Sequence, residues 1–236
     1  MVTELRRRDI AAGLAAARER IATATVQAGR DVGSVELVVV TKTFPAEDVS
    51  VLVDLGVRHV GENRDQEAEP KAAALAGSGL VWHFIGQLQT NKARSVVGYA
   101  DVVESVDRLK LVGALSRAAS ALRPPDHRLR CLVQVCLDDQ LGRGGAEPGQ
   151  VAEIAAAIAT APGLALGGVM AVAPLETDPD DAFARLAEVA GTVRGSHPEA
   201  DVVSAGMSGD LEAAIRHGAT QVRLGSAVLG YRPPVR

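Results

Sequence analysis

Hydrophobic positions along the chain fall into two alternating kinds of segment. Near the start, Ile10, Leu14, Ala17 and Ile21 recur at helical spacing and predict a helix, with Gly29 near its end. After it, short apolar runs rich in Val and Ile alternate with longer Ala-rich amphipathic stretches. The runs lie at 37–42, 59–63, 82–86, 102–106, 130–137, 166–172, 201–205 and 221–226. The stretches between them predict helices near 46–56, 64–76, 90–97, 108–121, 147–160, 180–195 and 209–217. Strands that alternate with helices pair in parallel, because each connection must cross back over the sheet. Eight such units predict an α/β chain folded as a single (β/α)8 TIM-type barrel with an extra N-terminal helix. Residues 1–236 then form one domain, and a doubly wound open sheet is the alternative architecture.

Composition narrows the function classes. The chain has 236 residues, 47% of them hydrophobic but only 3% aromatic, so Ala, Val, Leu and Gly must fill the core. Net charge is −4, and the one basic run, Arg6–Arg7–Arg8, sits on the first helix and reads as a solvated face. No nucleic-acid partner is expected. Cys131 and Cys136 are five residues apart, which places them on opposite faces of a strand. They read as small core residues in a reducing compartment, and two cysteines do not make a metal site. The opening MVTELRRRDIAAG is charged where a signal peptide is apolar, and no run is long enough for a membrane span. A cytoplasmic protein is expected, without a membrane partner. No large apolar surface stripe argues against a monomer.

Barrels of this kind carry their sites at the C-terminal ends of the strands, so the residue that closes each run matters. LVVVTK closes in Lys42. A lysine after four aliphatics either snorkels into solvent or is a desolvated amine able to form a Schiff base. HVGEN closes in Glu62 and Asn63. His83, inward by its parity with Ile85, reads as a hydrogen-bonded structural histidine, and Trp82 on the other face as packing against helices. SAGMSGD places Ser208 at a helix N-cap, with Asp210 and Glu212 in the first turn. That is simple capping, or a phosphate held by backbone N–H groups. QVRLGSAVLG offers Gly225 and Ser226 at the next strand end, and Arg223 two residues earlier points inward and needs a partner. Loops after strands seven and eight often build a phosphate site in such barrels. Strands one and eight are neighbours in a closed barrel, so Lys42 and Arg223 can share one ligand. A phosphorylated aldehyde fits, either pyridoxal 5′-phosphate (PLP) or a sugar phosphate on a Schiff-base aldolase.

The segments VVVTKTFP, VGENRDQEAEPK, WHFIGQLQTNK, GGVMAVAP, SAGMSGDLEAAI and VRLGSAVLG closely resemble the PLP homeostasis protein family, across essentially the whole chain. That family has the fold of the alanine racemase N-terminal domain. The resemblance implies that Lys42 carries PLP as a Schiff base and that Ser208, Gly225 and Ser226 hold the phosphate. It also implies that Arg223 faces the pyridine nitrogen and that Asn63 lies beside the ring. Ser226 stands where the family more often has threonine, and the hydroxyl is kept. The segment LGRGGA departs from the family's lysine-containing loop, so Arg143 is given no role.

The fold relative is a racemase, which needs an acid–base group on each face of the cofactor. The resemblance implies that its second base is a tyrosine of an additional C-terminal domain, for which ten residues after Ser226 leave no room. Tyr99 precedes strand four on the wrong side of the barrel, and nothing fixes Tyr231 over the ring. An arginine cannot accept a proton, so it leaves the pyridine nitrogen unprotonated and PLP a weaker electron sink. The expected function is a non-catalytic carrier in intracellular PLP homeostasis and delivery, with PLP-requiring apo-enzymes as its partners. The alternative is a PLP-dependent amino-acid racemase of low activity.

Overall fold

The computed structural model describes residues 2–138 and 144–231. Eight parallel strands close into one barrel in chain order. They are β1 (Glu36–Val40), β2 (His59–Glu62), β3 (Val81–Phe84), β4 (Val102–Val106), β5 (Leu129–Gln134), β6 (Leu164–Met170), β7 (Val202–Ser204) and β8 (Gln221–Leu224). The helices among the described residues are α1 (Glu4–Gln27), α2 (Ala46–Asp54), α3 (Asp65–Ala74), α4 (Ala93–Val97), α5 (Leu109–Leu122), α6 (Pro148–Thr160), α7 (Pro179–Ser196), α8 (Leu211–Arg216) and α9 (Ser226–Leu229). β8 pairs back onto β1, with Val38 beside Arg223 and Val39 beside Leu224. The closed barrel replaces the open-sheet alternative.

Alternation along each strand divides the core in two. Outward residues such as Val39, Val60 and Trp82 pack with the helix layer, where Ile10, Leu14 and Ile21 of α1 meet Leu211, Val228 and Leu229. Inward residues fill the barrel. Val102, Leu132 and Met170 form a small apolar cluster. The rest of the filling includes a polar group: His83, Glu104, Ser204, Gln221 and Arg223 are all buried.

The N-terminal helix is tied to the end of the chain. Thr3 caps α1 by accepting from the Arg6 amide at 3.2 Å, and Gly29 follows the helix in the left-handed region. A Cβ at Gly13 would lie 2.4 Å from the Val228 carbonyl oxygen, so only glycine lets α1 approach α9 this closely. Arg6 departs from the expected solvated face. Its guanidinium pairs with Asp48 of α2 at 2.7 Å and donates to the Leu229 carbonyl of α9 at 2.9 Å. Arg7 and Arg8 pair with Asp54 and Glu4 on the surface.

Other element boundaries differ from the expectations. β1 ends at Val40, so Lys42 lies in the turn beyond the strand. β5 ends at Gln134, and Cys136 is half-buried on a loop that follows an isolated bridge at Val135. Cys131 is the core residue expected, and burial pushes its thiol up to about 12. The 90–97 segment is a 3-10 turn at Thr90–Lys92 running into the short α4. Arg143 lies outside the described residues. Among the described residues no helix is long and apolar enough to cross a membrane.

Candidate functional site

The parallel register brings the C-terminal ends of all eight strands to one mouth. Lys42 follows β1, Asn63 follows β2, Ser208 lies in the turn after β7, and Gly225 and Ser226 follow β8. Lys42 is exposed, so of the two readings of this lysine the fold alone gives the one that reaches solvent. Its amine makes no hydrogen bond or ion pair among the described residues.

A buried shelf beneath Lys42 sets the turn that carries it. Glu62 is fully buried, and its Oε1 accepts from the Thr41 hydroxyl at 2.6 Å and from Lys71 Nζ at 2.7 Å. Lys71 also donates to the Thr41 carbonyl at 2.9 Å. Thr43 has φ 69°, the one non-glycine residue in that region among those described. A β-branched residue there is strained, and its amide is held by Glu67 Oε2 at 3.0 Å. Lys42 therefore projects from a turn pinned on both sides. Burial raises the Glu62 carboxyl above its ordinary range despite Lys71 and Thr41. Its Oε2 is buried without a partner among the described residues. On the neighbouring strand end, a Cβ at Gly86 would lie 2.1 Å from the Asn63 carbonyl oxygen, so glycine there allows Asn63 its place.

The turns after β7 and β8 present backbone donors. The N-cap of α8 is Asp210, and its Oδ1 accepts from the Met207 amide at 2.6 Å. This corrects the placement of Ser208 at the cap: Asp210 occupies the N-cap position, its carboxylate turned back to Met207 and not onto a helix amide, and Ser208 lies in the preceding turn. Ser226 likewise opens α9 instead of closing β8. The N–H groups of Ser208, Gly209, Ser226 and Ala227 have no acceptor among the described residues. The Ser208 turn is braced by Arg20, which donates to the Ser208 carbonyl at 2.8 Å and forks onto Glu212 at 2.6 and 2.7 Å.

Arg223 points inward as expected and its partners are visible. Nη1 donates to Ser204 Oγ at 2.6 Å and Nη2 to the Ala171 carbonyl at 2.8 Å, using two of five N–H groups. Glu104 Oε2 lies 3.8 Å from Nη1 and supplies the countercharge. Burial lowers the guanidinium's affinity for its proton, while Glu104 raises it. Glu104 in turn collects donors. Its Oε1 accepts from His83 Nδ1 at 2.6 Å and Gln221 Nε2 at 2.7 Å, and its Oε2 from the Ser204 hydroxyl at 2.6 Å. His83 Nε2 meets His59 Nδ1 at 2.9 Å. Burial opposes ionisation of Glu104, yet His83, Arg223 and Ser204 hold its carboxyl below the ordinary range.

His83 is the hydrogen-bonded structural histidine expected, and Trp82 packs outward. Tyr99 lies just before β4, at the end of the barrel away from the mouth, and burial raises its hydroxyl. Tyr231 is exposed. Glu104, Ser204, Gln221 and Lys71 went unremarked in the sequence. Glu104 was detectable, since a carboxylate between Val103 and Val106 is as anomalous as an arginine in β8. Clefts of about 460 and 500 Å³ lie between α3 and α4 and between α4 and α5, and neither contains these residues. The candidate site rests on convergence of strand ends, not on cavity size.

The geometry offers an amine, an inward guanidinium and four amides without an acceptor among the described residues around one mouth, a donor set suited to a phosphorylated carbonyl compound. Comparison with known proteins agrees. Residues 13–233 match the family model for the alanine racemase N-terminal domain. The pyridoxal phosphate homeostasis protein of Mycobacterium bovis is 46% identical over 96% of this chain and 94% of its own. That of Escherichia coli K12 is 37% identical over 95% and 97%. PipY of Synechococcus elongatus, solved with PLP bound, superposes with a TM-score of 0.80 at 31% identity, covering 94% of this chain and all of that one. This chain belongs to the pyridoxal phosphate homeostasis protein family, built on the alanine racemase N-terminal domain.

Proposed function

We propose that the chain binds PLP at the barrel mouth as a Schiff base on Lys42 and serves intracellular PLP homeostasis as a carrier. The observation that carries this reading is the convergence of Lys42, Arg223 and the free amides after β7 and β8 at one end of the barrel. The Ser208, Gly209, Ser226 and Ala227 amides, with the two serine hydroxyls, hold the phosphate. Arg223 directs a remaining N–H toward the ring nitrogen, and Asn63 lies beside the ring. PLP supplies an aldehyde for the lysine and a ring able to take up electrons. The related PipY structure contains PLP, which supports the choice among phosphorylated aldehydes.

The carrier reading over turnover rests on the residues around the mouth. A racemase needs a second acid–base group opposite the lysine. Tyr99 is at the wrong end of the barrel and Tyr231 is exposed. Arg223, a guanidinium paired with Glu104, cannot accept a proton and so cannot be that base. Delivery to PLP-requiring apo-enzymes follows as the use of such a store.

Two experiments separate the readings. Titration with PLP is expected to show weaker retention in Arg223→Ala and in Gly225→Val, since the second forces a side chain toward Val40, whose carbonyl oxygen lies 3.3 Å from an ideal Cβ. Unchanged retention in both would place the pocket elsewhere. Incubation with single-enantiomer amino acids is expected to give no turnover beyond that of free PLP. Turnover well above it would make the protein a racemase.

A further inference from the structure

The polar filling of the barrel has a direction. A carboxylate only accepts, so the 2.6 Å contact from His83 Nδ1 to Glu104 places the proton on that nitrogen. Neutral His83 then offers Nε2 as an acceptor, and His59 Nδ1 donates to it at 2.9 Å. On the other side, the Ser204 hydroxyl donates to Glu104 and so has only lone pairs for Arg223 Nη1 at 2.6 Å and Gln221 Nε2 at 2.9 Å. The protons of His83 Nδ1, the Ser204 hydroxyl and Gln221 Nε2 therefore converge on Glu104. This anion is fully buried, has no contact with the mouth, and lies one hydroxyl away from the guanidinium that reaches it.

We propose that Glu104 is a positioning residue for cofactor binding: through Ser204 it fixes the guanidinium of Arg223 and carries its countercharge. The inference rests on the reading that Arg223 faces the ring nitrogen of PLP. Three strands cooperate in it. β4 supplies the anion, β7 the bridging hydroxyl, and β8 both Gln221 and Arg223. Ser204 and Gln221 are register partners on β7 and β8, so the bridge is built into the sheet pairing. Arg223 has two orienting contacts, to Ser204 and to the Ala171 carbonyl, and these set the plane of the fork. Without the Glu104 charge the Ser204 proton has at most a neutral, weaker acceptor among these groups. The hydroxyl is then free to turn, and the guanidinium is left as a buried cation whose way out is toward the mouth.

A filler role and a positioning role differ in what they change. If Glu104 only fills the barrel, its loss lowers stability and leaves the bound ring as it was. If it positions Arg223, its loss also changes the environment of the ring nitrogen. The test compares native protein, Glu104→Gln, Glu104→Asp and Ser204→Ala. The readouts are PLP titration, circular dichroism, and the nitrogen-15 NMR signal of PLP labelled at the pyridine nitrogen.

The expected result is a folded Glu104→Gln with at least tenfold weaker PLP binding and a displaced ring-nitrogen signal. Ser204→Ala shifts the signal the same way by less, and Glu104→Asp restores part of both. Should Glu104→Gln fail to fold, Ser204→Ala decides, because it keeps the charge and removes only the bridge. Folded variants with affinity within twofold of native and an unmoved signal would overturn the proposal while leaving PLP binding intact. Native protein that takes up no PLP would overturn both readings.

Discussion

Two carboxylates are fully buried in this barrel, Glu62 on the shelf under Lys42 and Glu104 in the interior, and they behave in opposite ways. Glu104 receives donors on both oxygens and faces a buried arginine, and its carboxyl is held below the ordinary range. Glu62 receives Lys71 and Thr41 on one oxygen only, its other oxygen is unpartnered, and burial wins: its carboxyl is raised. Two solvent-inaccessible carboxylates thus shift in opposite directions, the more deeply buried Glu104 downward, so the number and placement of donors decide the sign. One carboxylate is a permanent anion that balances Arg223. The other pairs with Lys71 and holds Thr41 at the foot of the Lys42 turn.

Removing each charge is the strongest way to break the comparison. Glu104→Ala leaves Arg223 buried without its countercharge and is expected to lower unfolding free energy by about 3–5 kcal/mol in urea denaturation. A loss under about 1 kcal/mol would mean that the interior network does not hold Arg223.

Acid titration sharpens it. Glu104 is lower in the folded chain than its ordinary 4.5, so its stabilisation is complete above 4.5 and is lost as pH falls through the folded value. His59 acts in the same direction. Burial, then His83, lowers it from 6.5, so the unfolded chain binds that proton more readily and stability falls as pH drops below 6.5. Glu62 has the opposite sign. The folded chain binds its proton more readily, so its contribution favours folding at low pH and is lost as pH rises through the raised value. Urea denaturation across pH should show a slope below 6.5 that flattens in His59→Gln. The opposing slope should be absent in Glu62→Gln. Identical curves for all three proteins would refute the assignment.

The smallest effect is expected for Glu62→Gln itself. The amide oxygen can take both donors that Oε1 takes, and the amide nitrogen occupies the place of the unpartnered Oε2. The expected change in stability is within about 1 kcal/mol. In Glu104→Gln, by contrast, the amide must face at least one donor on either side, so about 2 kcal/mol is expected. Equal costs for the two amides would erase the distinction between the carboxylates.

Much of this molecule is legible in the sequence, and the rest fails for physical reasons. The alternation of apolar runs and amphipathic stretches places all eight strands, because a strand buried on both faces reads as an unbroken Val/Ile run. Arg223 stands out because a charge inside such a run demands a partner. The partner itself, Glu104, is remote in sequence, and only barrel closure with its register brings β4, β7 and β8 onto one anion. Turn details were less legible. SAGMSGD contains both a serine and an aspartate able to cap; Asp210 takes the N-cap position but turns its carboxylate back to the Met207 amide, and Ser208 lies in the turn before it. The shelf under Lys42 depends on Lys71 reaching back from α3 to the Thr41 carbonyl, a contact across thirty residues that spacing does not announce.

The central claim is that Lys42 holds PLP. Visible absorbance of purified protein after addition of PLP and removal of the excess tests it most directly, with Lys42→Ala measured alongside. A yellow native protein is expected, with a visible band that is stable to gel filtration and absent from the folded variant. A colourless native protein that takes up no PLP, or a variant that keeps the same band, would contradict it.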